Sequence, residues 1–379
     1  MHILQIAPYF PPYLGGQEKY VYYLSRELVR QGHEVTVLTS NVPKSPSYEI
    51  MDGIHIFRYH CLAKPLRNPI TPGLFFPPSF SSNISLVHTH NEHSFTSVVA
   101  SIEKYVFKRP VIITCHGKLV FGSKFPDAIR MAYSKTLGKA VMSSMERVTV
   151  ATPSERQRII REYNLKPEGI DVVPVGIDIE HWDSLKHTSL SSTKINFPGK
   201  KLILVATQLI KRKGIDYLIR AMSKVILSIP EVVLAIAGTG DDEPGLRQLV
   251  KNQGLSSHVF FLGRLTDQEL AVAYRNASIF VLPSLGEGQP TCIMEAWTYS
   301  CPVIATRIEG VEDYFSDAAL LVPPANSEAL ADGLIRALNN PQFAQEIGRK
   351  GRQLIETKFA WPKIAGQMIQ VYQKTISGD

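Results

Sequence analysis

Short apolar runs rich in β-branched residues recur along the whole chain and alternate with stretches of helical periodicity, and this alternation limits the fold more than any single motif does. In the first half the runs are Ile3–Ala7, Val35–Ser40, Ile54–Tyr59, Leu86–His90, Val111–Cys115, Arg147–Ala151 and Asp171–Val175. After a polar stretch, His187 to Lys200, the pattern restarts with Leu202–Ala206, Val232–Ala237, Val259–Leu262, Ile279–Leu282, Val303–Thr306 and Leu320–Val322. Most are continuously apolar, as strands covered on both faces are. Strands alternating with helices predict α/β architecture with parallel sheets. Between Gln17 and Gln31, Val21, Leu24 and Leu28 share one helical face, and Gly32 ends the element. The prediction is two Rossmann-like, doubly wound domains: residues 1–186 and 201–360, with 187–200 as linker and the final helix, 361–379, joined to the first. In such folds ligands bind at the carboxyl ends of the strands, so a cleft between two sheet ends is the expected site.

Composition narrows the function. The chain has 379 residues, 44% apolar and 20% charged, a globular balance. Its amino end enters a strand pattern at once, and no apolar run reaches the ~18 residues that span a bilayer; the expectation is a cytoplasmic protein. Cys61, Cys115, Cys292 and Cys301 show no metal-type spacing and read as reduced core thiols. Net charge is +7. Residues 118–147 hold six basic and two acidic residues, which suggests an anionic partner. No nucleic-acid motif accompanies them. Phe125, Ile129, Ala132, Leu137, Val141 and Met145 recur there at helical spacing. A basic amphipathic helix on an anionic membrane, helped by the Leu74-Phe75-Phe76 loop, is one reading. A half-buried helix with a solvated basic face is the other.

The strongest constellation follows the run Ile279–Leu282. Glu287 and Glu295 are separated by seven residues, Gly288, Gln289, Pro290 and Thr291 among them, and a helix is expected to start at Pro290. Free amides at such a helix start, with its dipole, hold phosphate, and the two carboxylates accept bonds from sugar hydroxyls.

This segment resembles the Glu-x7-Glu motif of glycosyltransferase family 4, and the resemblance extends over essentially the whole chain. It implies the GT-B fold and retaining, metal-independent transfer from a nucleoside-diphosphate sugar, a UDP-, GDP- or ADP-sugar, to a glycan or lipid-linked acceptor, with no cofactor. By position Glu295 takes the ribose diol and Glu287 the hydroxyls of the transferred sugar. Thr207-Gln208-Leu209-Ile210-Lys211-Arg212-Lys213-Gly214 is similar to the family's phosphate-binding segment. Lys213 matches the lysine on the donor diphosphate, whereas Gln208 stands where the family usually has Arg. Gly238 lies in a Gly-x-Gly turn after the strand Val232–Ala237; the dinucleotide fingerprint is absent, because Glu243 occupies the third glycine's place. The backbone of Arg264 matches a nucleobase contact. In the first half Gly15 and Gly16 resemble a loop that approaches the donor phosphate, and His116 matches a histidine that touches the donor sugar near its reacting carbon. His90 and His93 have no assignment. Glu309-Gly310 resembles a Gly-Gly turn with its first glycine replaced. The catalytic set is then His116, Glu287 and Lys213. A nucleotide-sugar epimerase on the same plan and a non-catalytic nucleotide-sugar-binding protein stay open as alternatives.

Overall fold

A computed structural model describes residues 1–13, 15–76, 83–117, 134–188 and 195–378. The chain forms two compact units, Met1–Gly176 with Trp361–Asp379, and Ile177–Ala360.

The described strands of the first unit are β1 (His2–Ala7), β2 (Glu34–Ser40), β3 (Tyr48–Met51), β4 (Ile54–Tyr59), β5 (Leu86–His90), β6 (Val111–Thr114), β7 (Arg147–Val150) and β8 (Ile170–Val172). They make one sheet in the order β3-β4-β2-β1-β5-β6-β7-β8. Order reverses at β1, which pairs in parallel with both β2 and β5. Every residue of β1 and β5 is buried, the polar His2, Gln5, His88, Thr89 and His90 included. The expected wholly parallel sheet is corrected at one edge: β3 runs antiparallel to β4. No residue of β3 is fully buried, so it carries no apolar run to betray it. Its signal is the Asp52-Gly53 pair, both at positive φ, which turns a two-residue hairpin.

The helix Gly16–Arg30 buries Val21, Leu24 and Leu28 completely. It stops at Gly32, whose φ of 83° suits glycine. The last helix, Trp361–Ser377, packs in the same core: Trp361, Ile364, Met368 and Tyr372 join Ile3, Tyr20 and Leu24. A Cβ on Gly176 would lie 2.5 Å from the Trp361 ring, so only glycine lets the chain pass there. Each large apolar side chain buried contributes about 1.5–3 kcal/mol, and a domain's net stability is only about 5–15 kcal/mol. Deleting residues 361–378 is therefore expected to remove the thermal transition of the first unit and leave that of the second, as read by calorimetry.

The second unit contains β9 (Lys201–Ala206), β10 (Val232–Ala237), β11 (Val259–Gly263), β12 (Ile279–Leu282), β13 (Val303–Thr306) and β14 (Leu320–Val322). All are parallel, in the order β11-β10-β9-β12-β13-β14. Chain order reverses between β9 and β12, the place where open α/β sheets bind ligands. Residues 177–186, expected in the first domain, belong here. Asp178 caps the helix Ile179–Ser184, Trp182 is buried in this unit's core, and both terminal nitrogens of Arg352 reach Asp183 at 2.8 Å. Within the expected linker, Ile195 is buried in the same core.

Two expectations about a membrane-facing surface change. Leu74 is fully buried, so of the loop Leu74-Phe75-Phe76 only Phe76 is well exposed. Phe125, Ile129 and Ala132 lie outside the described residues; Val141 and Met145 face the core of the first unit, and Leu137 is exposed. Among the described residues, no helix is long and apolar enough to cross a membrane.

Candidate active site

The segments after β9 and after β12 meet at the reversal point of the second sheet. After β9 the chain makes a single turn, Lys211–Lys213, closed by Gly214 at φ 60°. A Cβ at Gly214 would stand 2.2 Å from the carbonyl oxygen of Pro283, the residue after β12. The missing side chain thus lets the two loops touch. Leu285 donates its amide to the Arg212 carbonyl at 2.8 Å and links them again.

This contact delivers Lys213 to Glu287. Lys213 Nζ lies 2.5 Å from Glu287 Oε1, and Arg212 Nη1 lies 3.1 Å from Oε2. Ser284 Oγ donates to Oε1 at 2.6 Å. The Glu287 side chain is only 7% exposed, so a carboxylate taken from water is held by two cations and a hydroxyl. Arg212 also donates to the Gly286 carbonyl. Gln208, in contrast, is exposed. Arg212 and Lys213 are the two cations on this carboxylate, while Lys211 turns away to Asp242 at 2.6 Å.

The helix Thr291–Thr298 begins one residue later than expected, with Pro290 at the cap position and no side-chain cap. Its first amides have no partner within the helix. Glu295 is fixed from below: the buried Tyr274 donates its hydroxyl to Glu295 Oε2 at 3.0 Å. Burial, then the nearby Glu295 charge, pushes the Tyr274 phenol well up, so it stays a donor. The Glu287-Gly288 stretch is braced by Gly310, where a Cβ would fall 1.5 Å from the Gly288 carbonyl oxygen and 2.7 Å from that of Glu287.

Gly238 has φ 132°, and its Cβ would meet the Thr207 carbonyl at 1.8 Å. This glycine is needed for loop packing, a role independent of any ligand. Gly263, at φ 70°, accepts the Gly238 amide at 2.8 Å and turns the chain into Arg264, whose side chain is exposed.

In the first unit, Gly15 caps the helix Gly16–Arg30 in extended conformation with no side-chain cap, and a Cβ on Gly16 would meet nothing within 4 Å. His116, just past β6, packs its ring 4.9 Å from that of Tyr20 and places Nε2 3.2 Å from His90 Nδ1. Gly117 donates its amide to Glu155 at 2.8 Å, and Glu155 pairs with Arg158, which also holds Glu92 and Glu162. Burial pushes the pKa of His116 and His88 down to about 3, and that of His90 well down. Depressed below the ordinary 6.5, these rings stay neutral in the fold but take protons when unfolded. Their contribution to stability is complete above about pH 6.5 and is lost as pH falls toward about 3. The melting midpoint of the first unit should accordingly drop between pH 6.5 and pH 4 by more than that of the second; parallel curves would refute this.

Tyr274 and Ser284 carried no role in the sequence reading, and Gly214 appeared there only as the end of the segment from Thr207. Tyr274 lies on a different helix, Asp267–Asn276, and reads in sequence as a core aromatic. Gly214 did have a local signal, a glycine directly before a helix. Among the described residues, no three His, Cys, Asp or Glu side chains gather as a metal site.

Two parallel α/β units with these loops define a GT-B glycosyltransferase. The model described as Glycosyltransferase Family 4 matches residues 14–181, and that of Glycosyl transferases group 1 matches residues 190–354. Between them the two models cover most of the chain, which is a glycosyltransferase similar to those of family 4. It is similar to an uncharacterized glycosyltransferase, MJ1607, of Methanocaldococcus jannaschii, at 27% identity over 98% of each chain. It is also similar to the phosphatidyl-myo-inositol mannosyltransferase of Mycobacterium tuberculosis, at 25% over 100% of this chain and 98% of the other. Among solved structures, sucrose-phosphate synthase from Thermosynechococcus elongatus superposes with a TM-score of 0.78, at 25% identity and full coverage of both chains.

Proposed function

We propose that this glycosyltransferase moves a hexosyl unit, with retention at the anomeric carbon and without a metal, from a nucleoside-diphosphate sugar to an acceptor hydroxyl on a glycan or lipid-linked sugar. The observation that carries the reading is the Lys213–Glu287 contact of 2.5 Å beside an uncapped helix start at the reversal point of the sheet. A diphosphate needs cations and amide donors; in this reading Lys213 and Arg212 supply the first and the first turn of the helix Thr291–Thr298 the second. A sugar needs fixed acceptors, which Glu287 supplies, and Glu295, oriented by Tyr274, suits a ribose diol.

In this mechanism Lys213, Arg212 and the amides after Gly288 stabilise charge building on the leaving diphosphate. Glu287 orients the sugar and holds the two cations, which would repel each other without it. Gln289 and Thr291 line the same turn. Gly15, Gly16 and His116 are the first unit's contribution in this reading, and Gly238 and the Arg264 backbone lie toward the base. Retention follows from attack on the face from which the diphosphate leaves, the acceptor's proton passing to a donor phosphate oxygen. The similarity to a mannosyltransferase named for a phosphoinositide supports a lipid-linked acceptor.

The test is a thermal-shift series with UDP, GDP and ADP and their glucose and mannose derivatives. A ligand bound only by the native state raises the midpoint, by about 2.7 kcal/mol of stability at a hundredfold excess over Kd. One base should stand out, with its shift intact in EDTA, and turnover of that donor should give an axial-to-axial product by NMR. Absence of any shift, or inversion, refutes the proposal.

A further inference from the structure

The first unit contains a continuous line of hydrogen bonds whose direction is set at one end. Thr149 Oγ1 lies 3.3 Å from the Ile113 carbonyl, which can only accept. Thr149 therefore spends its single proton there and must accept from Thr114 Oγ1 at 2.5 Å. Thr114, its proton used, must accept from His88 Nε2 at 2.7 Å. A neutral imidazole that donates at Nε2 accepts at Nδ1, so His88 Nδ1 accepts from the Tyr372 hydroxyl at 2.8 Å. Tyr372 in turn accepts from Gln5 Nε2 at 3.5 Å, which turns Gln5 Oε1 toward His90 Nε2 at 2.7 Å. His90 then donates at Nε2 and accepts at Nδ1, and its partner there is His116 Nε2 at 3.2 Å.

His88, His90, Gln5, Thr149 and Tyr372 are all fully buried. Water is thus excluded from the middle of the line, and a reversed link would leave two donors or two acceptors face to face at a cost. Burial also keeps all three imidazoles neutral, which the scheme requires.

We infer that this line fixes His116 as the Nε2–H tautomer and leaves Nδ1 as a hydrogen-bond acceptor for a hydroxyl of the bound substrate. Gln5, His90 and Tyr372 are its positioning residues, with Tyr372 reaching in from the last helix. His116 therefore accepts a sugar hydroxyl's proton in a hydrogen bond, does not donate to the sugar oxygen, and carries no positive charge beside the reacting carbon. The statement about substrate rests on the assignment of His116 proposed above; the statement about tautomers does not.

Histidine-ring nitrogen NMR on the full-length protein tests it, with signals assigned through His116→Gln and His90→Asn. All three rings should carry the proton on Nε2, and a nitrogen–nitrogen coupling should cross the His116–His90 bond. A proton on His116 Nδ1, or an even mixture, overturns the inference. Tyr372→Phe cuts the line while keeping the ring packing; the His116–His90 coupling should be lost and a second tautomer of His116 should appear. Thr149→Val should do the same from the far end, and Thr149→Ser, which keeps the hydroxyl, should restore the wild-type spectrum. If both cut variants melt like wild type and keep the coupling, the line does not set the tautomer. Titration with UDP-glucose, GDP-mannose and ADP-glucose reads the other claim separately: a wild-type tautomer with no shift at His116 Nδ1 under any saturating donor refutes the substrate contact and leaves the relay standing.

Discussion

Replacing Gly310 with alanine is expected to disable the enzyme while leaving most of the second unit folded. The added Cβ would sit 1.5 Å from the Gly288 carbonyl oxygen and 2.7 Å from that of Glu287, both backbone atoms that no rotamer change can move aside. The loop from Ser284 to Pro290 must shift as a whole. Overpacking ordinarily costs about 1–3 kcal/mol, and the sheet and its helices can absorb that. The catalytic geometry cannot, since a displacement of about 1 Å at a positioning group lowers rate by about a hundredfold. Glu287 would move off Lys213, and the first amides of the helix Thr291–Thr298 would move with it. The measurement is twofold: circular dichroism and melting close to wild type, together with turnover reduced by about a hundredfold or more and a weakened thermal shift with nucleoside diphosphate. Full activity in Gly310→Ala would mean that this loop plays no part in donor handling.

The second large effect is at Lys213. Truncation to alanine should lower turnover by about a hundredfold or more, since losing one charge-stabilising donor costs about 3–4 kcal/mol of barrier. Arg212 remains 3.1 Å from Glu287, so the carboxylate keeps a partner and the fold should survive. This separates Lys213 from an ordinary buried ion pair, whose loss would appear as lower stability. Lys213→Arg should recover part of the rate, as the longer, planar group misplaces the same charge. Glu287→Gln makes a useful contrast: it keeps the side-chain volume but removes the charge that holds both cations, so donor affinity and rate should fall together. Unchanged turnover in Lys213→Ala would remove the diphosphate assignment.

What could be read in the sequence followed periodicity and punctuation. The strand runs found their places because strands buried on both faces leave uninterrupted apolar segments. β3 escaped because an edge strand with an open face leaves none, although Asp52-Gly53 announced the hairpin. The Glu287–Glu295 spacing and Lys213 were legible because each lies in a short segment with a local signal. Tyr274 and Gly310 act through contacts between segments far apart in the chain, and no window of sequence contains both partners. The same holds for Gln5, His90 and Tyr372, which reach His116 only through the fold. The reading of residues 177–186 failed for a related reason: contacts with residues far along the chain, such as Asp183 with Arg352 and Trp182 with the second unit's core, show where they belong.

Ile177 donates its amide to the Phe359 carbonyl at 2.8 Å and bridges in parallel to Ala360. The chain therefore enters and leaves the second unit at adjacent points, and residues 177–360 form a detachable cassette spliced into a loop of the host unit. On the proposed assignment of donor binding to this unit, exchanging it for that of a relative is expected to carry donor preference with it, while Gly176 and Trp361 stay behind as the splice site.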